Sequence, residues 1–582
     1  MRRSWLDLAQ TAAMKRRSTF LLAVLALLAA CAAPPREAAV GHAPAAPVAE
    51  IAQTANPLAT QAALEMLERG GNAIDAIVAA QMVLGLVEPQ MSGLGGGTEI
   101  LYWDAAHAKL TNFDGLAAAP ARTTASIRTD VDGALLPRDA VQHGGRSVAV
   151  PGTLPVLRMV HQRYGKLPWA TLFEPAIKLA ENGFALPELT HRIIHIDKID
   201  PKAAPDLAMY FDAQGAPLAV GTIIRNPEYA RTLRRIAARG VDGMLGEGGA
   251  ERVVAAAQHG PEPTLMNAGD LRAYRPVERT PICAPFLAYR VCTTPPPSYG
   301  GVYLLQMLQM LQARAGGHYD FADPDFVHLF LEAGRLARAD RSMYVGDPDF
   351  TPVPTAGLVA ADYAKARAAA IDAHEANPSP HAGHPAGSVA MNPSEALAMG
   401  GTSQLTVADH DGNLVSMTTT INLGFGSWLM VDGYVLNDAL TNFAAAPRPG
   451  QPTANAMGPH RRPYTSMAPA IVFDAQGRPY AAGGSAGGGH IADYISQGWI
   501  NILANGDTPQ QAVKRAHFST AIPGRITVEE GTEAAGLADA LRARGHPVAV
   551  GPLLSGQGYI ERAGGGWIGA ADPRRGGDAE GR

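Results

Sequence analysis

Apolar positions recur at helical spacing through residues 58–88: Ala59, Ala62-Ala63 and Met66-Leu67, then Ala73-Ile74, Ile77-Val78 and Met82. Gly70-Gly71-Asn72 interrupts the run, which predicts two helices joined by a tight turn. The small-residue stretch 92–98 follows, and 99–103 reads as a strand. Residues 153–185, 226–257 and 301–345 are mainly helical by the same spacing. Residues 375–400 lose all apolar period and are rich in Pro, Ala, Gly, Ser and His, which marks a linker. Beyond it the pattern turns to strands. Residues 404–408 alternate, 409–413 form a turn, and 414–421 return. Further strands are predicted at 470–473 and 479–482. A glycine-rich loop over 483–489 and a helix over 490–503 come next. The expected class is mixed α/β.

With 582 residues, the chain calls for one large domain or two merged ones. Its 48 basic and 53 acidic side chains, net charge -5, argue against nucleic acid as a partner, because that function needs a basic stripe. The three cysteines form no C-x-x-C pair and there is no H-E-x-x-H, so no metal or cofactor is expected.

Read from Met14, the chain opens with Lys15-Arg16-Arg17 and an apolar run over 20–30, ending at Cys31. This is the pattern of an export signal, too short to span a bilayer. Leu28-Ala29-Ala30-Cys31 resembles a bacterial lipobox. Residues 1–30 are therefore expected to be a signal peptide. Cys31 would be the lipid-anchored first residue of a periplasmic protein; plain secretion is the alternative. Residues 31–50 read as an Ala/Pro-rich tether. Export favours oxidation, and Cys283 and Cys292 flank a strand–turn–strand pattern, which allows a disulfide or two buried thiols.

If the 409–413 turn centres near Asp411-Gly412, residues pair when their numbers sum to about 823. Thr402 then faces Ile421 and lies beside Thr420 and Thr419, within the ~5–8 Å reach of cross-strand neighbours. The glycine run before a helix offers N–H groups to an oxyanion. It is no P-loop, because no Gly-Lys-Ser/Thr follows.

Residues 401–426, beginning Gly-Thr-Ser-Gln-Leu-Thr, resemble the start of the small subunit of γ-glutamyltransferases. Other family motifs appear in order. They include Gly70-Gly71-Asn72-Ala73-Ile74-Asp75-Ala76, Val87-Glu88-Pro89 and Ser92-Gly93-Leu94-Gly95-Gly96-Gly97. Further along come Pro295-Pro296-Pro297-Ser298-Tyr299-Gly300-Gly301, Ala339-Asp340-Arg341-Ser342, Arg462-Pro463-Tyr464-Thr465-Ser466 and Gly484-Ser485-Ala486-Gly487-Gly488. The resemblance implies an N-terminal-nucleophile fold, a four-layer αββα sandwich. It would be built from a large subunit (51–401) and a small one (402–582) of one self-cleaved precursor. It implies cleavage between Gly401 and Thr402, with Thr402 as nucleophile and Thr420 tuning it. Gly487 and Gly488 would hold the oxyanion, and Asn422, Thr465 and Ser466 would bind substrate. The implied substrates are γ-glutamyl amides such as glutathione, with water, an amino acid or a peptide as acyl acceptor.

Three positions depart from the family. Leu116 stands where an arginine for the substrate carboxylate is expected, and Ala439 and Asn442 replace Gln/Glu and Asp at the ammonium site. Either Arg122 or Asp438 supplies the missing charges, or the enzyme is an amidase for another acyl group, such as a dicarboxylic one. An inactive ligand-binding lipoprotein is a further alternative.

Overall fold

The structure is a computed structural model. It describes residues 46–582 except 131, 133, 259–262, 395–400, 446–449 and 451. The signal-like stretch, Cys31 and the tether up to residue 45 lie outside the described residues.

Two helices, α1 (Pro57–Glu68) and α2 (Ala73–Val87), form where the apolar period predicts them. Asn72 caps α2 in a capping box with Asp75, which explains the sharp restart after the Gly-Gly turn. The helical stretches that matter for the site are α3 (Tyr299–Arg314), α4 (Pro324–Tyr344) and α5 (Ile491–Leu503). Among the described residues no helix is long and apolar enough to cross a membrane.

The strands are β1 (Ile51–Thr54), β2 (Gly97–Asp104), β3 (Lys109–Gly115), β4 (Val277–Arg279), β5 (Ile282–Phe286), β6 (Tyr289–Thr293), β7 (Ser403–Ala408), β8 (Leu414–Thr420), β9 (Ala470–Phe473), β10 (Pro479–Ala486), β11 (Gly556–Ala563), β12 (Gly566–Ala571) and β13 (Asp578–Gly581), apart from short outlying ones. They make two antiparallel sheets. One has the order β13-β1-β7-β8-β2-β3-β4, the other β12-β11-β10-β9-β6-β5.

Period-two alternation sends each strand's side chains to two layers. Leu405, Val407, Val415 and Met417 pack on α1 and α2, while Ala470, Val472, Ala481 and Tyr559 pack on α3, α4 and α5. Between the sheets Ile51, Leu101 and Leu414 meet Ile471, Phe473 and Trp567. Nearer the site the interlayer is polar: Ser416 donates to the Gly483 carbonyl at 2.9 Å and Thr418 to Gln404 Oε1 at 2.7 Å. The result is an αββα sandwich, as the family resemblance implies.

One expected loop is a strand. Residues 483–486 belong to β10, and only 487–489 turn before α5. The glycines serve sheet stacking: a Cβ at Gly484 would lie 2.3 Å from Gln404 Oε1. Cys283 and Cys292 face each other across the β5–β6 hairpin and are bridged as a disulfide. The described part of the linker is held to α4, by Tyr344 to the Gly383 carbonyl (2.6 Å) and by Ser394 N–H to the Ser342 carbonyl (2.6 Å).

Candidate functional site

The β7–β8 hairpin sets the site. Its turn runs from Asp409 to Asn413, with Asp409 N–H donating to the Asn413 carbonyl, and Asp409 also accepts the first N–H of α2 at 3.0 Å. Paired residues sum to 822 (Leu414 with Ala408, Thr419 with Ser403), one less than expected. The turn is centred on Asp411 rather than past it. Thr420, not Ile421, therefore stands opposite Thr402.

Thr402 Oγ1 donates to Thr420 Oγ1 at 3.1 Å, and Thr420 Oγ1 also accepts Asn422 N–H at 2.9 Å. Thr402 is buried, with φ of +120°. A β-branched residue at such a φ is strained by about 1–3 kcal/mol. Its N–H donates to the Met91 carbonyl (3.2 Å), and its carbonyl accepts Arg575 Nη1 (3.3 Å). Arg575 is in turn anchored to the Leu554 carbonyl by Nε and Nη2. Glu88, at the head of the 88–91 turn, faces Ser403, whose Oγ lies 3.5 Å from Oε2. Burial pushes the Glu88 carboxyl up to about 8, against the opposing pull of Arg575. Sequence reasoning gave Glu88 no role and missed Arg575, which carries no local motif.

Gly487 and Gly488 have φ of 132° and 59°, conformations that favour glycine. Ser466 Oγ donates to the Gly488 carbonyl (2.6 Å) and Arg338 Nη2 to the Gly489 carbonyl (3.1 Å), fixing the turn at the positive end of α5. Burial lowers His490, the next residue, to about 4, so it is neutral at pH 7 and bonds Ser519 through Nδ1.

Thr420, Asn422 and Thr465 line one small cavity together with Leu116, Ala439 and Asn442. The three departures from the family pattern thus converge on the same space. Among the described residues no charged side chain lines it. Asn422 is committed to protein partners: its amide nitrogen donates to Thr441 Oγ1 (3.0 Å) and its oxygen accepts Asn442 Nδ2 (2.7 Å). Asp438 does not replace the lost charges. It is fully buried, accepts Leu423 N–H at 3.0 Å, and is pushed up to about 6 by burial. Arg122 is exposed and does not line the cavity either. A cation that sequence reasoning missed, Arg138, reaches Thr441 Oγ1 at 3.3 Å from behind. Asp114 keeps its place at the end of β3 by pairing with Arg279 (2.7 Å) and Arg462 (3.3 Å). Ser466, Gly487, Gly488 and the two bridged cysteines do not line this cavity; Ser466 follows its wall residue Thr465 and holds the Gly488 carbonyl of the turn. Among the described residues no group of three or more His, Cys, Asp or Glu could hold a metal ion.

A hydroxyl pair at the start of an inner strand, in an αββα sandwich, defines the class of amide-cleaving enzymes with an N-terminal nucleophile. The sequence profile described as Gamma-glutamyltranspeptidase matches residues 59–582. The chain is 34% identical over 542 residues to a glutathione hydrolase proenzyme of Bacillus subtilis (strain 168), covering 91% of this chain and 90% of that one. It is 36% identical over 514 residues to the acylase ACY 1 proenzyme of Pseudomonas sp. (strain SE83), covering 86% and 88%. The crystal structure of a cephalosporin acylase from Bacillus halodurans superposes with a TM-score of 0.79 at 27% identity, over 95% of this chain and 98% of that one. The chain belongs to the γ-glutamyltranspeptidase family, and both relatives above are named as proenzymes.

Proposed function

We propose that Thr402 is the nucleophile, first on its own chain and then on substrate. In the precursor its Oγ attacks the Gly401 carbonyl and the C–N bond breaks, leaving an ester that water hydrolyses. The positive φ at Thr402 supports this step, since breaking the bond releases the strain. The freed α-amino group then takes the hydroxyl proton during attack on an amide. The acyl group passes to Thr402, the amine leaves, and water or another amine releases the acyl group. The Thr402–Thr420 hydroxyl contact at 3.1 Å carries this reading. The turn at Gly487 and Gly488 is the oxyanion stabiliser.

The first substrate reading is γ-glutamyl amides, glutathione among them, by hydrolysis or transpeptidation. A specific observation favours a second: Leu116, Ala439 and Asn442 leave the acyl cavity uncharged. A zwitterionic acyl group would lose its usual partners there, each worth about 2–5 kcal/mol when buried. The second reading is therefore an acylase for groups lacking the α-charges. Rates of p-nitroaniline release from γ-glutamyl and glutaryl anilides separate the two. A strong γ-glutamyl preference rejects the acylase.

The pattern 14–31 supports export with a lipid on Cys31. The mass of the mature N-terminus tests it: an unlipidated mature chain rejects the anchor.

A further inference from the structure

Arg575 meets the nucleophile through its main chain. Its Nη1 donates to the Thr402 carbonyl (3.3 Å), while Nε and Nη2 hold the Leu554 carbonyl at 3.0 and 2.9 Å. Met91 touches both residues: its carbonyl accepts Thr402 N–H at 3.2 Å, and its Sδ lies 3.4 Å from the same Nη1. The nitrogen and carbonyl oxygen of one residue are about 3–3.6 Å apart by covalent geometry. The guanidinium therefore stands within about 7 Å of the nitrogen that cleavage would turn into an α-amino group. Burial lowers Arg575, but arginine keeps its charge in proteins.

That charge bears on the base. An α-amino group ordinarily titrates at about 7.7–8.0, so at pH 7 most of it is ammonium and cannot take a proton. A cation about 7 Å away in a half-buried site lowers it by about one pH unit, which frees more than half of it at pH 7.

The charged and titratable groups around Thr402 and Arg575 leave this effect standing. Glu88, from the 88–91 turn, is pushed up to about 8 by burial and is mostly an uncharged carboxyl at pH 7. Asp572 is committed to Arg574 (3.2 Å) and to the Ser555 hydroxyl. His490 is neutral, and burial pushes Tyr494 of α5 well above the usual phenol range. Arg192, from the helix Glu188–Ile196, donates to the Arg574 carbonyl at 2.6 Å and adds a second cation. On the acyl side Asp438, held by Leu423 N–H, is offset by Arg138.

We infer that Arg575 is a positioning residue for the catalytic base: its charge keeps the freed Thr402 α-amino group unprotonated near pH 7, and its bond to the Thr402 carbonyl fixes the residue that carries the base. The amine takes the hydroxyl proton as Thr402 Oγ attacks and returns it to the leaving amine, so the proton balance closes within the site. The inference rests on the role proposed above for that amine.

The test uses the processed enzyme and an anilide that it turns over. The pH profile of kcat/KM, which reports the groups of the free enzyme, is measured for wild type, Arg575→Gln and Arg575→Lys. The wild-type acid limb is expected about one pH unit below the ordinary α-amino range of about 7.7–8.0. It should rise by about one pH unit in Arg575→Gln and stay near the wild-type value in Arg575→Lys. A limb that is the same in Arg575→Gln and wild type, whatever the loss of rate, makes Arg575 a structural anchor and overturns the inference. Added dimethylformamide should leave the limb in place, as for an ammonium; a limb that climbs belongs to a carboxyl such as Glu88 and overturns it too. If Arg575→Gln does not fold, the wild type and Arg575→Lys decide through the pH dependence of Thr402 carbamoylation by cyanate, read by mass spectrometry of the small chain. An amine that titrates clearly below about 7.7 in both supports the inference, and one at or above that value in either overturns it. An uncut wild-type chain overturns the amide-cleaving reading and this inference with it. A cut, active enzyme whose amine is of ordinary basicity overturns this inference alone.

Discussion

Thr402 Oγ1 lies 3.1 Å from Thr420 Oγ1, across two strands whose register places the residues face to face. The contact needs no long side chain: strand register sets it, while Asn422 N–H holds the Thr420 hydroxyl and Arg575 the Thr402 carbonyl. Removing the Thr420 hydroxyl while keeping the backbone isolates its role. Thr420→Ala should lower kcat/KM about 10²-fold, the low end for a positioned proton-handling group. Thr420→Ser should stay within a few-fold of wild type. Initial rates on any turned-over anilide decide, and equal activity in the Ala variant would remove Thr420 from the mechanism.

The uncharged acyl cavity makes specificity adjustable. Leu116→Arg combined with Asn442→Asp restores one charge of each sign to the wall that faces Thr420. The γ-glutamyl over glutaryl ratio of kcat/KM should rise about tenfold or more, worth about 1.4 kcal/mol per tenfold. A ratio that stays level would mean that the charges are read elsewhere.

Glu88 links stability to pH. Burial raises its carboxyl from 4.5 to about 8 in the folded chain. Between those values the unfolded state holds fewer protons, so this group's contribution is full below pH 4.5 and is lost as pH rises towards 8. Glu88→Gln should flatten that decline. Urea midpoints at pH 5 and pH 8 for both proteins measure it; an unchanged pH slope would show that Glu88 is not its source.

The Cys283–Cys292 bridge closes a short loop at the edge of the second sheet. Short closures stabilise less than long ones, so reduction should cost no more than about 3 kcal/mol. Thermal midpoints with and without dithiothreitol check this. Chain processing should persist, because the hairpin does not touch Thr402.

Much of this was legible from local pattern. The helices of 57–87 follow from apolar spacing and an Asn cap, and the β7–β8 hairpin from alternation around an Asp/Gly-rich turn. The register slipped by one because turn length, not alternation, decides which residue faces Thr402. Residues 483–486 resembled a loop because glycine carries no strand signal; their need arises only when a second sheet approaches. Leu116, Ala439 and Asn442 stood out against the family motifs, yet only the fold brings β3 and the 439–442 turn to one cavity. Arg575 and Arg138 act from distant segments and leave no mark in the local sequence.

The central claim is that Thr402 becomes an N-terminus. Denaturing electrophoresis with N-terminal sequencing of the purified protein tests it most directly. Two chains are expected, the smaller beginning Thr402-Ser403-Gln404, and a single uncut chain for Thr402→Ala. A wild-type chain that stays intact, or a cut that Thr402→Ala leaves unchanged, would contradict it.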